Sequence, residues 1–268
     1  MTRFLCITCG TQYADRATPP EHCAICEDDR QYVGHDGQRW TTHAEVVENH
    51  TLRMEQHAGL LALGVTPSFA IDRRSFLLPT DAGNLLWEAQ CMVNDEAVAR
   101  LREHGGVDKI VISHPHFYSA MVEWSEALDD APILLHEADT EWIQFPHRSI
   151  ETWSGDTLAL SESVTLIRCG GHFTGSTALH WSEAPRGGGA LFSGDALQVA
   201  ADRRHVSFMY SYPNMVPMRT SNVQRMRDRL APYEFEDVFG YTWGSDIRGG
   251  ARAAVDASYE RYLAAVLG

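Results

Sequence analysis

The fold of this chain is decided by the stretch Ser113-His114-Pro115-His116-Phe117-Tyr118-Ser119, together with the blocks Gly170-Gly171-His172 and Ser193-Gly194-Asp195. Each block follows a short apolar segment that predicts a buried β-strand, so each lies where a strand ends in a loop. Alternation in an extended segment places His114 and His116 on one side, and Pro115 cannot extend a helix. Three imidazoles and one carboxylate, brought together from distant parts of the chain, form the donor set of a metal site.

Length, composition and charge restrict the class of protein. The 268 residues, of which 44% are hydrophobic, suffice for one large core or for one large and one small domain. No apolar run approaches the ~18 residues that a membrane helix needs, and the N-terminus lacks the apolar region of a signal peptide. We therefore expect a cytoplasmic protein that does not bind a membrane.

The charge of the chain points to the kind of partner. A formal net charge of −14 disfavours nucleic-acid binding, because such a chain repels a phosphate backbone. Lys109 is the only lysine, which excludes a phosphate-binding P-loop. The predicted partner is a small-molecule substrate, and the sequence leaves the oligomeric state open.

Four of the six cysteines form two CxxC motifs, Cys6-Ile7-Thr8-Cys9 and Cys23-Ala24-Ile25-Cys26. Two such turns can complete a tetrahedron of thiolates around one ion, and we expect Zn there, with Fe as the other option. A segment of about 40 residues cannot bury enough area by itself, so a structural role is favoured over electron transfer. The motifs predict a unit similar to a zinc ribbon or rubredoxin over residues 1–40, followed by the main domain over residues 41–268.

After residue 41 the pattern alternates between strand and helix signals, which is typical of an α/β fold. The predicted strands cover Leu60–Ile71, Arg74–Leu78, Asn84–Trp87, Ile110–Ile112, Pro132–Leu135, Val164–Ile167, Ala178–Trp181, Ala190–Phe192 and Val238–Tyr241. The predicted helices cover Asp95–His104 with Asn94 as N-cap, Ser119–Leu128, Ser221–Leu230 and Arg252–Leu267.

The order and spacing of the three blocks resemble the HxHxDH, GH and GD motifs of the metallo-β-lactamase superfamily. This resemblance covers roughly residues 50–268 and implies a four-layered αββα sandwich with the metal site at one edge of the two sheets. It implies that His114, His116 and His172 bind a first metal and that Asp195 is the bridging carboxylate.

The chain departs from the family pattern at the ligands of a second metal. Tyr118 and Ser119 stand where the family has Asp and His, and Tyr241 stands where it has a late histidine. We therefore expect one metal, Zn, Fe or Mn, held by the three histidines and Asp195. Asp195 would act as ligand or general base, and Tyr118 would donate a hydrogen bond to a developing oxyanion.

Three functions remain open on the sequence alone. The first is a mononuclear hydrolase that cleaves an ester, thioester, lactone or amide by metal-activated water. The second is a non-heme iron dioxygenase that resembles the persulfide dioxygenases of the same superfamily, with His114, His172 and Asp195 as the facial triad. The third is a non-catalytic, degenerate scaffold. The aromatic loop Phe208–Pro217 is either a wall of the site or a loop that only covers the core.

Overall fold

The computed structural model describes residues 1–267 and begins with a small unit that contains both CxxC motifs. Its strand β1 (Phe4–Cys6) pairs antiparallel with β2 (Trp40–Thr42), and helix α1 (His43–Asn49) follows at once. The helix starts there because the Thr42 side chain accepts from the N–H of Glu45, whose carboxylate accepts from the N–H of Thr42. This capping box satisfies two free donors of the first turn.

Seven strands form the first large sheet, and their order across the sheet is their order in the chain. The first three pairings are antiparallel, and the last three are parallel. Parallel neighbours need crossover connections, and helices α2 (Asp95–Glu103) and α3 (Met121–Ala127) provide two of them. The strands are β3 (Thr51–His57), β4 (Leu60–Thr66), β5 (Ser75–Thr80), β6 (Gly83–Trp87), β7 (Lys109–Val111), β8 (Ile133–His136) and β9 (Ile150–Trp153).

The second large sheet contains β10 (Thr157–Ala159), β11 (Val164–Arg168), β12 (Thr177–Trp181) and β13 (Ala190–Phe192), which pair antiparallel with one another in this order. The chain then makes two small ribbons, β14 (Gln198–Val199) with β15 (Val206–Ser207) and β16 (Met209–Ser211) with β17 (Val216–Pro217). Helix α4 (Thr220–Leu230), strands β18 (Asp237–Phe239) and β19 (Asp246–Arg248), and helix α5 (Ala251–Leu267) complete the fold. Strand β18 runs parallel to β13 and closes the sheet with β19. None of the helices within residues 1–267 has the combined length and hydrophobicity that crossing a bilayer requires.

The two sheets pack face to face, with a layer of helices outside each. Because successive side chains of a strand point to opposite faces, each sheet contributes to two cores. Between the sheets, Phe76 contacts Phe192 and Phe239. The outer face of the first sheet packs against α2 and α3 through Leu101 and Trp124, and that of the second packs against α4 and α5. The predicted αββα sandwich is confirmed.

Some predicted boundaries are wrong. The strand predicted over Leu60–Ile71 ends at Thr66, where Pro67 lacks the N–H that a further ladder bond would need. The last predicted strand, Val238–Tyr241, covers Asp237–Phe239 instead, so Tyr241 lies in the loop that follows it. The pattern also missed β3 and α1.

Candidate metal centres

His114 and His116 follow the end of β7, which lies between β6 and β8 in the first sheet. The backbone is still extended at His114, with φ −169° and ψ 169°. Pro115 then opens a single 3-10 turn, Pro115–Phe117, since its ring fixes φ and removes the N–H that a strand would use. The extended segment predicted through His116 is therefore wrong, but the turn still keeps His116 beside His114, with ring centroids 5.3 Å apart.

His172 lies in a tight loop after β11, in the second sheet. Gly170 and Gly171 precede it with φ of 68° and 86°, a region that favours glycine. A Cβ at Gly171 would lie 2.5 Å from Sδ of Met218, so any larger residue would force the Met218 side chain to move. The ring is then oriented by its Nδ1, which donates to the carbonyl of Tyr210 at 2.8 Å.

Asp195 follows β13, and the conformation of Gly194 directs its side chain toward the histidines. Gly194 has a φ of 50°, and a Cβ there would lie 2.5 Å from Oγ of Ser113. The loop after β7 and the loop after β13 therefore touch at this point, although they belong to different sheets. The contact places the Asp195 carboxylate opposite His114.

The four predicted donors converge in the structure. Oδ2 of Asp195 lies 3.4 Å from Nε2 of His114 and 3.6 Å from Nε2 of His172. Nδ1 of His116 lies 3.2 Å from the same nitrogen of His172. One donor atom from each of the four residues falls within 4.8 Å of the others, and all four residues are buried.

The unsatisfied atoms of this group fit a metal ion. The Nδ1 atoms of His114 and His172 are engaged by the Ser113 hydroxyl at 2.8 Å and by the Tyr210 carbonyl, which leaves both Nε2 atoms facing the group. Nε2 of His114 and Oδ1 of Asp195 are buried without a hydrogen-bond partner within residues 1–267, a costly state that a bound cation would relieve. The outer hydrogen bonds fix the rings as metal ligands require.

Burial keeps two of the imidazoles neutral. Burial lowers the pKa of His172 to about 3, and the neighbouring His114 ring acts in the same direction. Burial also holds the pKa of His116 well below its usual value, with His172 and His114 acting in the same direction. A neutral imidazole is the form that binds a metal, so neither ring must lose a proton near neutral pH.

Two buried ionisable residues, Arg73 and Glu88, lie beside the group and were not predicted. Arg73 is 1% exposed, donates Nε–H to the Ala89 carbonyl at 2.9 Å and has no hydrogen bond at Nη2. Its guanidinium lies 5.0 Å from the ring centroid of Phe117, and its charge lowers the pKa of His116. Glu88 is also 1% exposed and accepts from the N–H of Ser113 at 3.3 Å.

Two of the three residues at second-metal positions use their hydroxyls in hydrogen bonds to backbone carbonyls outside the metal site. The Tyr118 hydroxyl donates to the carbonyl of Asp139 at 3.2 Å, and its ring packs in the core beneath α3. The Ser119 hydroxyl donates to the carbonyl of Gly10 at 3.2 Å. Neither side chain joins the four donors. This placement does not support the catalytic role predicted for Tyr118.

The third such residue, Tyr241, lines a cavity of about 180 Å³ that reaches His116, His172 and Asp195. Its hydroxyl accepts a hydrogen bond from Nε2 of Gln198 at 3.1 Å. Burial and the charge of Asp195 raise the pKa of Tyr241, so it remains protonated. We call this space the metal-site cavity.

The aromatic loop predicted over Phe208–Pro217 contributes to the same cavity. Tyr212 and Pro213 lie on its wall, and the Tyr212 hydroxyl donates to the Asp195 carbonyl at 3.2 Å. The Tyr212 ring lies 5.7 Å from the His172 ring. Of the two interpretations of this loop, the structure supports the wall of the site.

The four predicted cysteines form the second centre. Sγ of Cys6 lies 3.5 Å from Sγ of Cys26, and Sγ of Cys9 lies 3.6 Å from Sγ of Cys23. These distances are far above the ~2.05 Å of a disulfide bond. They agree with the edge of a sulfur tetrahedron around zinc, about 3.8 Å for Zn–S bonds of ~2.3 Å. All four thiols are buried and meet the geometric requirement of a metal site.

The cysteine unit packs directly on the histidine centre. Arg30 donates to the carbonyl of His172 at 3.3 Å and stacks over the ring of Phe173 at 3.7 Å. Asn214 Nδ2 donates to the carbonyls of Asp29 and Gln31 at 2.9 Å each. The metal-site cavity is also lined by three residues of the unit, Thr8, Gln31 and Tyr32.

Solved structures share this fold. DIM-1 metallo-β-lactamase matches 79% of this chain and 97% of its own, with 13% identity and a TM-score of 0.56. The flavodiiron core of Flv1 from Synechocystis sp. PCC6803 matches 80% of this chain and 61% of its own, with 14% identity and a TM-score of 0.53. At such identities the likeness shows the fold alone, and this fold is the one that the motifs imply.

Sequence comparison gives one close relative and no family model. No family model matches the chain. The uncharacterised protein YmaE of Bacillus subtilis (strain 168) is 40% identical over 271 residues, which cover 99% of this chain and 97% of YmaE. The chain therefore belongs to the same family as YmaE, and its fold is that of the metallo-β-lactamases.

Proposed function

We propose that this protein is a mononuclear metal-dependent hydrolase that cleaves an ester, thioester, lactone or amide bond in a small molecule. The observation that carries the proposal is the convergence of His114, His116, His172 and Asp195, with Nε2 of His114 and Oδ1 of Asp195 buried and unpartnered. A fold shared with metallo-β-lactamases supports the same class of chemistry.

A single metal fits this donor set better than two. Tyr118 and Ser119, at two of the second-site positions, direct their hydroxyls to backbone carbonyls. The buried guanidinium of Arg73 already places a positive charge near the site, and this charge lowers the pKa of His116. Asp195 partly offsets that charge. A second cation in this region would meet electrostatic repulsion in a medium of low dielectric.

The metal donors, Asp195 and Tyr241 would have different roles in the hydrolysis. A metal held by the four donors would supply Lewis acidity and lower the pKa of a coordinated water. Asp195 has a second carboxylate oxygen without a partner, which fits a ligand that also accepts a proton. Tyr241 accepts from Gln198 and keeps its own proton, so it can donate to an oxyanion in the metal-site cavity. We therefore assign to Tyr241 the role predicted for Tyr118.

We propose zinc as the metal of the cysteine centre, with iron as the alternative, and a structural role for it. Nε2 of Gln38 donates to Sγ of Cys6 at 3.2 Å, the kind of bond that stabilises a metal-bound thiolate. The four thiols are nearly inaccessible to solvent, which favours a closed structural site over one that exchanges electrons with a partner.

A non-heme iron dioxygenase is the second candidate, and one observation favours it. His114 and His172 both approach the same oxygen of Asp195, within 3.6 Å, so these three residues alone form a two-histidine, one-carboxylate set. Such a set is typical of mononuclear iron oxygenases.

The experiment is a paired assay on protein purified without added metal and then loaded with zinc, manganese or, anaerobically, Fe(II). Chromogenic esters, thioesters, lactones and anilides report hydrolysis, and an oxygen electrode with persulfide substrates reports dioxygenase chemistry. We expect hydrolysis that falls at least 100-fold in His114→Ala/His172→Ala, because the metal site loses two ligands.

The control variant is His22→Ala/His104→Ala, whose histidines are on the surface and should leave the rate unchanged. Oxygen consumption with iron and no hydrolysis with any metal would contradict the hydrolase and support the dioxygenase. Equal rates in both histidine variants, in either assay, would contradict both enzymes and support a non-catalytic scaffold.

A further inference from the structure

A second and larger cavity opens beside the loop that carries His172. It measures about 950 Å³ and is bordered by the Gly170–Thr174 loop, by the start of α4 and by part of the cysteine unit. Its most distinctive feature is positive charge. The arginines that line it, which define what we call the arginine cleft, are Arg30, Arg168, Arg219, Arg225 and Arg229.

This concentration of positive charge is unusual in a chain whose formal net charge is −14. Asp29 is the one carboxylate among the lining residues. Arg168 and Arg229 share Asp156 at 2.6 Å each. Arg219 and Arg225, in contrast, have no carboxylate within 4.0 Å anywhere in residues 1–267. Arg30 pairs with Asp28, so the five guanidinium groups outnumber the carboxylates beside them. Like charges in excess repel each other, and an anion in the cleft would relieve this existing cost.

The backbone around the cleft also suits an anion. Helix α4 has 11 residues, and its N-cap is Arg219, whose side chain makes no capping hydrogen bond. Ser221 and Asn222, in the first turn, line the cleft. Unsatisfied N–H groups and the positive end of the helix dipole therefore act in the same direction as the arginines. Gly170 and Gly171 also line the cleft, where they present backbone without side chains.

We propose that the arginine cleft binds a small molecule through a phosphate or diphosphate group. Arginine matches phosphate because its planar fork can donate two parallel hydrogen bonds to two oxygens. The volume of the cleft falls within the range of small-molecule sites, which leaves room for the rest of a phosphorylated metabolite beyond the phosphate itself.

The cleft is a site separate from the metal-site cavity, but the two share a wall. His172 contributes to the lining of both spaces, and Arg30 connects them by its hydrogen bond to the His172 carbonyl. Binding in the cleft does not require turnover, so the proposal stands or fails independently of the hydrolase assigned to the metal centre.

Isothermal titration calorimetry tests the proposal, with inorganic phosphate, inorganic pyrophosphate and citrate as the probes. We expect the wild-type protein to bind pyrophosphate more tightly than citrate, which carries carboxylates only. In Arg219→Gln/Arg225→Gln the affinity for pyrophosphate should fall at least tenfold, because two charge-assisted pairs are lost. Both side chains are exposed, so the substitutions should not disturb folding, and thermal unfolding checks this.

The charge-matched control is Arg100→Gln/Arg102→Gln, which removes two exposed arginines from α2 and should leave the affinity unchanged. A third variant, His114→Ala/His116→Ala, removes the metal centre and should still bind pyrophosphate. No binding by the wild type, tighter binding of citrate, or equal affinity in the arginine variant and its control would each overturn the proposal. Loss of binding only in the histidine variant would overturn it too, because the probe would then occupy the metal centre.

Discussion

At the scale of single residues, the histidine centre depends on two close contacts that are made at glycines. Gly171 lets the His172 loop pass Met218, and Gly194 lets the Asp195 loop touch Ser113. Both have positive φ, where a side chain costs free energy even in open space. The donors therefore meet because these two positions lack a side chain.

Gly194→Ala should lower the free energy of unfolding by about 2–4 kcal/mol, as the new Cβ would lie 2.5 Å from Oγ of Ser113. Urea denaturation measures this value. The control is Gly187→Ala, at a φ of 82° with no atom within 4 Å of the new Cβ, which isolates the cost of the backbone conformation. Equal losses in the two variants would show that the loop contact is not tight.

Glu88 gives the fold a pH dependence of known sign. Burial raises its pKa to about 8, above the ~4.3 of glutamate in an unfolded chain. The folded chain therefore holds a proton that the unfolded chain releases. Its contribution to stability is complete below about pH 4 and is lost as the pH rises through about 8.

The variant Glu88→Gln cannot ionise, so it isolates this effect. Between pH 5 and pH 8.5 its free energy of unfolding should fall less than that of the wild type, by about 1–3 kcal/mol. Urea denaturation of both proteins at the two pH values, with chelator present, measures the difference. Parallel pH profiles would mean that Glu88 does not change its protonation state in this range.

Sequence patterns predict the four metal donors but not the charged residues around them. His114, His116, His172 and Asp195 stand in short motifs with local meaning. Arg73 carries no such signal, because a charged residue between two strands is normally exposed. The one hint was an Arg73-Arg74 pair next to the apolar strand Ser75–Thr80.

At the scale of elements, burial decides which strands the sequence predicts. Strands β7 and β13 lie inside their sheets, and β13 is entirely apolar while β7 is apolar after Lys109, so their positions were predicted to within two residues. Strand β3 is at the edge of its sheet and is half-exposed, and its sequence TLRMEQH carries a mixed pattern. Its pairing with β4 depends on tertiary contacts, so the sequence of β3 shows no clear alternation of apolar and polar residues.

Helix α2 shows that a local signal can predict an element end. Asn94 was predicted as N-cap, and its side chain accepts from the N–H of Ala97 at 2.9 Å. Asn94→Ala should cost about 1 kcal/mol of stability in thermal or urea unfolding. Asn94→Asp keeps the acceptor and adds a favourable charge at the helix start, so it should retain wild-type stability. Similar losses in both variants would contradict the capping role.

At the scale of the whole molecule, the cysteine unit and the sandwich form one structure. Arg30, Gln31 and Tyr32 are in the unit, yet they contact the His172 loop or line the metal-site cavity. Strand β2 closes the unit at Thr42. A division of the chain at residue 40 stays a prediction, but the contacts make the two parts dependent on each other.

Loss of the cysteine centre should therefore affect more than the first 40 residues. In Cys23→Ser/Cys26→Ser we expect a lower melting temperature and rapid proteolytic cleavage within residues 1–40, since a metal-stapled segment loses its main source of stability. Limited trypsin digestion followed by mass spectrometry locates the cuts. The control is Cys169→Ala, a buried cysteine outside the centre. Resistance to cleavage equal to that of the control would contradict a structural role.

The central claim is that one chain holds two separate metal ions. Metal content by inductively coupled plasma mass spectrometry tests it most directly, on wild type, Cys23→Ser/Cys26→Ser and His114→Ala/His172→Ala, all purified without added metal. We expect two ions per wild-type chain and the loss of one in each variant. A single ion that is lost only with the cysteines, and no uptake by the histidine centre when metal is added, would contradict it.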